Sequence, residues 1–199
     1  NISFKQAIKH PKWKMGYKNS IDSATLVNKC LELIEAHYLF DLPYDKLRML
    51  IHPEAFVHSI IEYNNFTTVM NYFFHDMYIP LFNFFMEAIN EKNYPILDNN
   101  FNFKKNNSLN FYKPNLRLFP VLNIFSEIEK SPINLIKFNC ANEFAVDLFA
   151  NKKINFGDIH NIIANSMSLD LTTDVNNIEN IIDFQNNFVE MMKSKLLYL

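Results

Sequence analysis

The chain has 199 residues and a mass of 23.6 kDa, is 49% hydrophobic and 20% charged, and carries a formal net charge of −2. That composition can bury a sizeable core and excludes a disordered tail, while the near balance of charge leaves no basic footprint for nucleic acid. Two distant cysteines, Cys30 and Cys140, make neither a disulfide framework nor a zinc knuckle and point to a reducing compartment. No apolar run approaches the roughly 18 residues of a membrane span, and no basic-then-apolar leader is present. A chain that opens on Asn1 rather than Met is expected to start inside a longer protein. The 2 glycines against 20 phenylalanines, with abundant Asn, Ile and Lys, fit the mutational bias of an AT-rich genome.

In chain order, residues 4–9 allow a turn or two of helix before His10-Pro11 breaks it. Residues 10–19 hold the one Trp and one of the glycines without any period, and read as a loop. A helix over 20–40 follows, with Ser20 or Asp22 as its cap, Val27, Leu31, Ile34 and Tyr38 on one stripe, and Thr25, Asn28, Lys29, Glu32 and Glu35 opposite. From 47 to 74 the period changes to two, which predicts three strands at 48–52, 57–63 and 67–74, with Asn64-Asn65 as a tight turn. A short helix over 81–90 and an Asn/Lys-rich linker at 91–115 come next. Helices over about 116–130, 132–152, 158–167 and 175–199 complete the chain, Pro132 suiting a first helical turn. The expected fold is an α/β (α+β) portion with a small mixed sheet over 1–90, the linker, and an all-α helical bundle over 116–199.

Three places could carry chemistry. The segment from Ser20 to Glu32 combines a helix start, which offers free amides and a positive dipole end to a phosphate, with Ser23, Asn28 and Lys29 as donors. Glu32 on the same polar arc could hold a hard divalent cation, although a solvated helix face with a Lys29–Glu32 pair explains the same residues. The loop His10-Pro11-Lys12-Trp13-Lys14-Met15-Gly16 suits a lid that covers a ligand, or a surface loop pinned by Trp13. His52, Glu54 and His58 share parity, but Pro53 interrupts the strand and core or surface roles are favoured. Asn139-Cys140-Ala141-Asn142-Glu143 reads as packing and capping within a helix.

Taken together, His10-Pro11-Lys12-Trp13-Lys14-Met15-Gly16 and Asp22-Ser23-Ala24-Thr25 with Asn28-Lys29 and Glu32 resemble the 1-deoxy-D-xylulose 5-phosphate reductoisomerase family. Ile51-His52-Pro53 with His58-Ser59, Asp76-Met77 with Pro80, and Asn139 to Glu143 are similar to that family's later motifs, in the same order. The resemblance spans essentially the whole chain and corresponds to the C-terminal half of the family. It implies the second non-mevalonate step of isoprenoid synthesis, in which the sugar phosphate rearranges on Mg²⁺ or Mn²⁺ and NADPH reduces the product to 2-C-methyl-D-erythritol 4-phosphate. By position it implies that Ser23, Asn28 and Lys29 hold the phosphate and that Glu32 is a metal ligand. It also implies that His10 contacts substrate from a flap, that Trp13 and Met15 cover it, and that Gly16 and Met77 meet NADPH.

The resemblance further implies a homodimer, a bacterial cytoplasmic or plastid setting, and no membrane or nucleic-acid partner. The family's N-terminal NADPH-binding domain and its remaining acidic metal ligands would precede Asn1. The chain by itself is therefore expected to be inactive, a separate N-terminal fragment being one possible complement. Cys30, Tyr17 and His75 depart from the family's usual residues, and residues 84–92 lack its usual aromatic-proline turn. The alternative is a non-catalytic remnant or interaction module that keeps only the fold.

Overall fold

The computed structural model describes residues 2–9, 15–74, 76–90, 108–171, 173 and 175–196. They fall into two compact units, one formed by the segments up to Met49 and from Pro114 onward, the other by Leu50–Lys113.

In the first unit, helices α1 (Phe4–Ala7), α2 (Tyr17–Thr25) and α3 (Val27–Phe40) precede α5 (Val121–Glu127), α6 (Pro132–Ala150), α7 (Ile159–Met167) and α8 (Ile178–Leu196). α6 is the axis of the packing and touches α2, α3, α7 and α8. Its sequence explains this: Leu135, Phe138, Ala141, Phe144, Ala145, Val146, Leu148 and Phe149 are buried on nearly all sides, the signature of a helix enclosed by others. Small residues at 140, 141 and 145 let neighbours approach closely. α8 presents Phe184, Phe188, Met192 and Leu196 at steps of four, one stripe facing inward, and the Phe184 and Phe188 rings stack at 5.8 Å. α7 answers with Ile159, Ile163 and Ser166, whose hydroxyl lies 3.1 Å from Met192 Sδ.

A buried cation closes this bundle. Lys137 of α6 is only 5% exposed, yet its ammonium donates to the carbonyls of Met167 (3.2 Å) and Leu169 (2.7 Å), at the C-terminal end of α7. Those carbonyls have no helical partner, and a cation also suits the negative end of the helix. Lys130 does the same for α5, donating to the carbonyls of Phe125 and Ile128 beneath the Phe125 ring.

Both cysteines lie in this core. Burial pushes the Cys30 thiol up to about 12 against the pull of Lys130, and burial with the Glu143 carboxylate pushes Cys140 to about 11. Only the thiolate reacts readily, so the native chain is expected to resist iodoacetamide near neutral pH and to take up two equivalents once unfolded. Mass spectrometry of the labelled chain checks this; rapid native labelling of either residue would contradict the packing.

The second unit holds strands β1 (Val57–Glu62) and β2 (Thr68–Tyr72), paired antiparallel with Ile60 opposite Met70, and helix α4 (Tyr78–Ala88). Among the described residues the fold is therefore mostly helical with a two-stranded antiparallel sheet, in place of the expected three-stranded mixed sheet. The stretch at 48–52 contributes a single bridge, Ile51 with Tyr112, because Pro53 lacks an amide and ends the pairing. Tyr112 falls in the expected linker, whose residues 91–107 lie outside the described residues. The hairpin turn also differs. Phe66, not an asparagine, takes the left-handed conformation at φ 66°, while Asn65 accepts the Thr67 amide and hydroxyl through Oδ1. His52 and Glu54 pair with each other at 3.0 Å and with Asn110, and His58 stacks on Phe73 at 3.8 Å. Among the described residues they are part of no group of three or more His, Cys, Asp or Glu that could hold a metal ion.

Candidate phosphate site at the α2–α3 elbow

The helix expected over 20–40 is two helices. α2 starts at Gly16 as its cap rather than at Ser20 or Asp22, so Tyr17 to Asn19 are helical instead of loop. Ser20 turns its hydroxyl back to the Gly16 carbonyl at 3.1 Å, as buried helical serines do. At the other end Thr25 Oγ1 donates within α2 to the carbonyls of Ile21 (3.1 Å) or Asp22 (3.2 Å) and lies 3.4 Å from the Val27 amide. Leu26 then takes φ 64°, ψ 13°, a left-handed conformation that stops one helix and starts the next. That state costs a non-glycine residue about 1–2 kcal/mol, and burial of the leucine side chain to 8% exposure offsets it.

This elbow puts a helix N-terminus at Val27 rather than at Ser20, and the polar residues sit around it. Ser23 is in the last turn of α2, half-buried. Asn28 and Lys29 are in the first turn of α3, at its positive dipole end, where the Lys29 amide donates to the Leu26 carbonyl at 3.1 Å and the Val27 amide faces Thr25 Oγ1 at 3.4 Å. Both reach the same carboxylate: Asn28 Nδ2 donates to Glu32 Oε1 at 2.6 Å and Lys29 Nζ to Glu32 Oε2 at 2.5 Å. Lys29 and Glu32 side chains are 41% and 44% exposed, so a solute can reach them. Beneath them Val27 and Cys30 are fully buried and hold the turn in place. The stripe expected from Val27 to Tyr38 packs only at its start. Leu31, Ile34 and Tyr38 instead line a groove of about 530 Å³ with Leu135 and Ile136.

Of the other expected site residues, His10 and Trp13 lie outside the described residues, as does His75. Met15 is half-buried and Gly16 exposed, with nothing within 4 Å of where a Cβ would stand. Met77 caps α4 in the second unit and is 53% exposed. Among the described residues no group of three or more His, Cys, Asp or Glu could hold a metal ion. One carboxylate alone does not make a site for a hard divalent cation.

A second polar group lies behind the elbow. Asp22, 1% exposed, accepts from Lys18 Nζ at 2.7 Å and from Asn142 Nδ2 at 2.9 Å, Asn142 being fully buried in α6. Lys18 Nζ also lies 3.9 Å from Glu143, and the Tyr17 hydroxyl donates to Asp147 at 3.2 Å. Its neighbour carboxylate raises the Tyr17 phenol above its ordinary value. Asp22 and Asn142 were expected to cap and to pack; the signal for more was an amide set among Ala141, Phe144 and Ala145.

Comparison with known proteins gives this geometry a family. Residues 1–40 match the 1-deoxy-D-xylulose 5-phosphate reductoisomerase C-terminal domain, and residues 73–191 match the DXP reductoisomerase C-terminal domain. A 1-deoxy-D-xylulose 5-phosphate reductoisomerase of Sulfurihydrogenibium is 43% identical over 168 residues, covering 84% of this chain and 44% of the relative. The Zymomonas mobilis enzyme in complex with NADPH superposes with TM-score 0.84 at 29% identity, over 98% of this chain and 50% of that one. A DOX-P reductoisomerase in complex with NADPH, fosmidomycin and magnesium gives TM-score 0.82 at 33% identity, over 97% and 49%. The chain belongs to the DXP reductoisomerase family, of which it has the C-terminal domains. It spans about half the length of the curated relatives it matches.

Proposed function

We propose that this chain supplies the sugar-phosphate clamp and one metal ligand of a 1-deoxy-D-xylulose 5-phosphate reductoisomerase, acting with an amino-terminal half of the kind its relatives carry. The observation that supports this most is the convergence of Asn28 and Lys29 on Glu32 at an accessible helix N-terminus. Ser23, Asn28 and Lys29 would hold the phosphate. Glu32 would be one ligand of Mg²⁺ or Mn²⁺, which when bound stabilises charge developing on substrate oxygens. His10, Trp13 and Met15 would form the flap over substrate, and Gly16 and Met77 would meet NADPH. The open space at Gly16 and the exposure of Met77 support such contacts. Association with a second copy is supported by exposed Ile61, Val69 and Met70 on the two described strands.

Glu32 occupies the two donors that a phosphate would need. An anion must displace that carboxylate, and a cation that draws Glu32 away releases Asn28 and Lys29. Binding of the two is therefore mutually favourable, as linkage requires.

The test is substrate-dependent NADPH oxidation with Mg²⁺, measured on the chain with and without an added amino-terminal half. Turnover only with both halves supports the reading, and none with either would favour a remnant that keeps the fold alone. Glu32→Gln provides a second arm. In the presence of a chelator it is expected to tighten inorganic phosphate binding about two- to fivefold, the release of an exposed ion pair. Unchanged or weaker binding, read by calorimetry, would show that Glu32 does not compete for the donors.

A further inference from the structure

We infer that Asn142, through its buried hydrogen bond to Asp22, is a positioning residue for the phosphate site, which rests on the reading just given. The two side chains are 120 residues apart in sequence, and the bond of 2.9 Å between them is buried. It links α2 to α6 immediately beneath Ser23. The two helices that carry the clamp are anchored differently. α3 is held by apolar burial of Val27 and Cys30 and by its packing on α5 and α6. α2 is nine residues long and buries Ile21, and its buried polar link to α6 is the Asp22–Asn142 bond, beside the exposed contacts of Tyr17 with Asp147 and of Lys18 with Glu143. Only Leu26 joins the two helices, so whatever sets α2 relative to α6 also sets Ser23 relative to Asn28 and Lys29.

The chemistry of the pair fixes its orientation. A carboxylate only accepts, so the Asn142 amide must present its NH₂ to Asp22, and a flipped amide would set oxygen against oxygen. Asn142 Oδ1 has no hydrogen-bond partner among the described residues, so the bond to Asp22 is what holds the amide. Without that donor the Asp22 side chain keeps, among the described residues, Lys18, whose side chain is 33% exposed. A buried carboxylate short of a donor moves toward water, and here that means carrying the last turn of α2 outward with Ser23 on it.

The experiment uses the 199-residue chain and inorganic phosphate, titrated by NMR on the backbone amides of residues 23–32 at a temperature where circular dichroism shows every variant folded. Asn142→Leu is expected to weaken phosphate about tenfold, since sub-ångström to ångström displacements of a clamp have effects of this order or larger. Asp22→Asn keeps an acceptor for the Asn142 amide and is expected to hold affinity within about threefold of the parent, a rescue that simple loss of stability would not produce. Lys137→Met, which loosens the same bundle elsewhere, is expected to leave the dissociation constant unchanged. Should Asn142→Leu not fold, Asn142→Ser removes the reach to Asp22 and carries the same test. Parent chain that fails to bind phosphate, or binds it equally after Lys29→Ala, overturns the phosphate reading itself. Lys29-dependent binding that survives the Asn142 variants within twofold overturns the positioning role alone.

Discussion

Lys29→Ala is expected to weaken phosphate binding about 10- to 150-fold, the range that corresponds to the 1.5–3 kcal/mol of a hydrogen bond to a charged group. The same substitution is expected to leave folding stability nearly unchanged. The Lys29–Glu32 pair is about two-fifths exposed on both sides, and such surface pairs contribute about 0–1 kcal/mol. This contrast separates a ligand-binding lysine from one that merely decorates a helix. If the ion pair were structural, unfolding would shift and binding would not. Phosphate titrations at two salt concentrations sharpen the test, because the parent's affinity should fall with ionic strength more steeply than the variant's. Equal affinities for the two proteins would remove Lys29 from the clamp.

Lys137→Met is expected to have its effect on stability instead. Methionine fills similar space but leaves the Met167 and Leu169 carbonyls without their shared donor. An unpaired buried acceptor costs about 1–3 kcal/mol. Some of that loss is returned, because the ammonium no longer has to be buried. The net expectation is a loss of about 2 kcal/mol, or about 4–8 °C in the unfolding midpoint of a chain this size. A pH dependence accompanies it. Burial holds the Lys137 ammonium below the ordinary lysine value, with Asp170 opposing. Between the folded-state value and the ordinary one, the unfolded chain binds more protons, so the parent gains stability as pH rises through that window. The methionine variant lacks this rise. Urea unfolding followed by circular dichroism at neutral and alkaline pH measures both effects, and parallel curves would exclude a buried cation at this position.

Much of the helical architecture was legible from spacing. The step of four through Phe184, Phe188, Met192 and Leu196 and the proline at the first turn of α6 define their helices from local pattern, and α6, α7 and α8 begin and end within a few residues of expectation. The elbow at Leu26 was not legible, since leucine is an ordinary helix former and its left-handed backbone is held by burial that only the packed unit supplies. The hairpin turn failed for a related reason: asparagine is the better candidate for a positive φ, but Asn65 uses its side chain on Thr67 and leaves the unusual angle to Phe66. The stretch at 48–52 alternates as a strand should, yet alternation cannot reveal that pairing stops after one bridge. At the site, Asn28, Lys29 and Glu32 were recognisable together from residue type. Asp22 was legible only as a cap, because nothing local shows that its partner lies 120 positions away.

On the proposed reading, the elbow also provides a way for residues six apart to serve one small anion. In an unbroken α-helix each residue advances about 100° around the axis, so positions 23 and 29 would differ by about 240°, on separate sides of one rod. Ending the rod at Leu26 and beginning another abolishes that angular bookkeeping, and the serine and the lysine answer to two axes instead of one. A substitution at 26 that favoured ordinary helical angles would splice the rods together and scatter the donors, even though no donor had been altered.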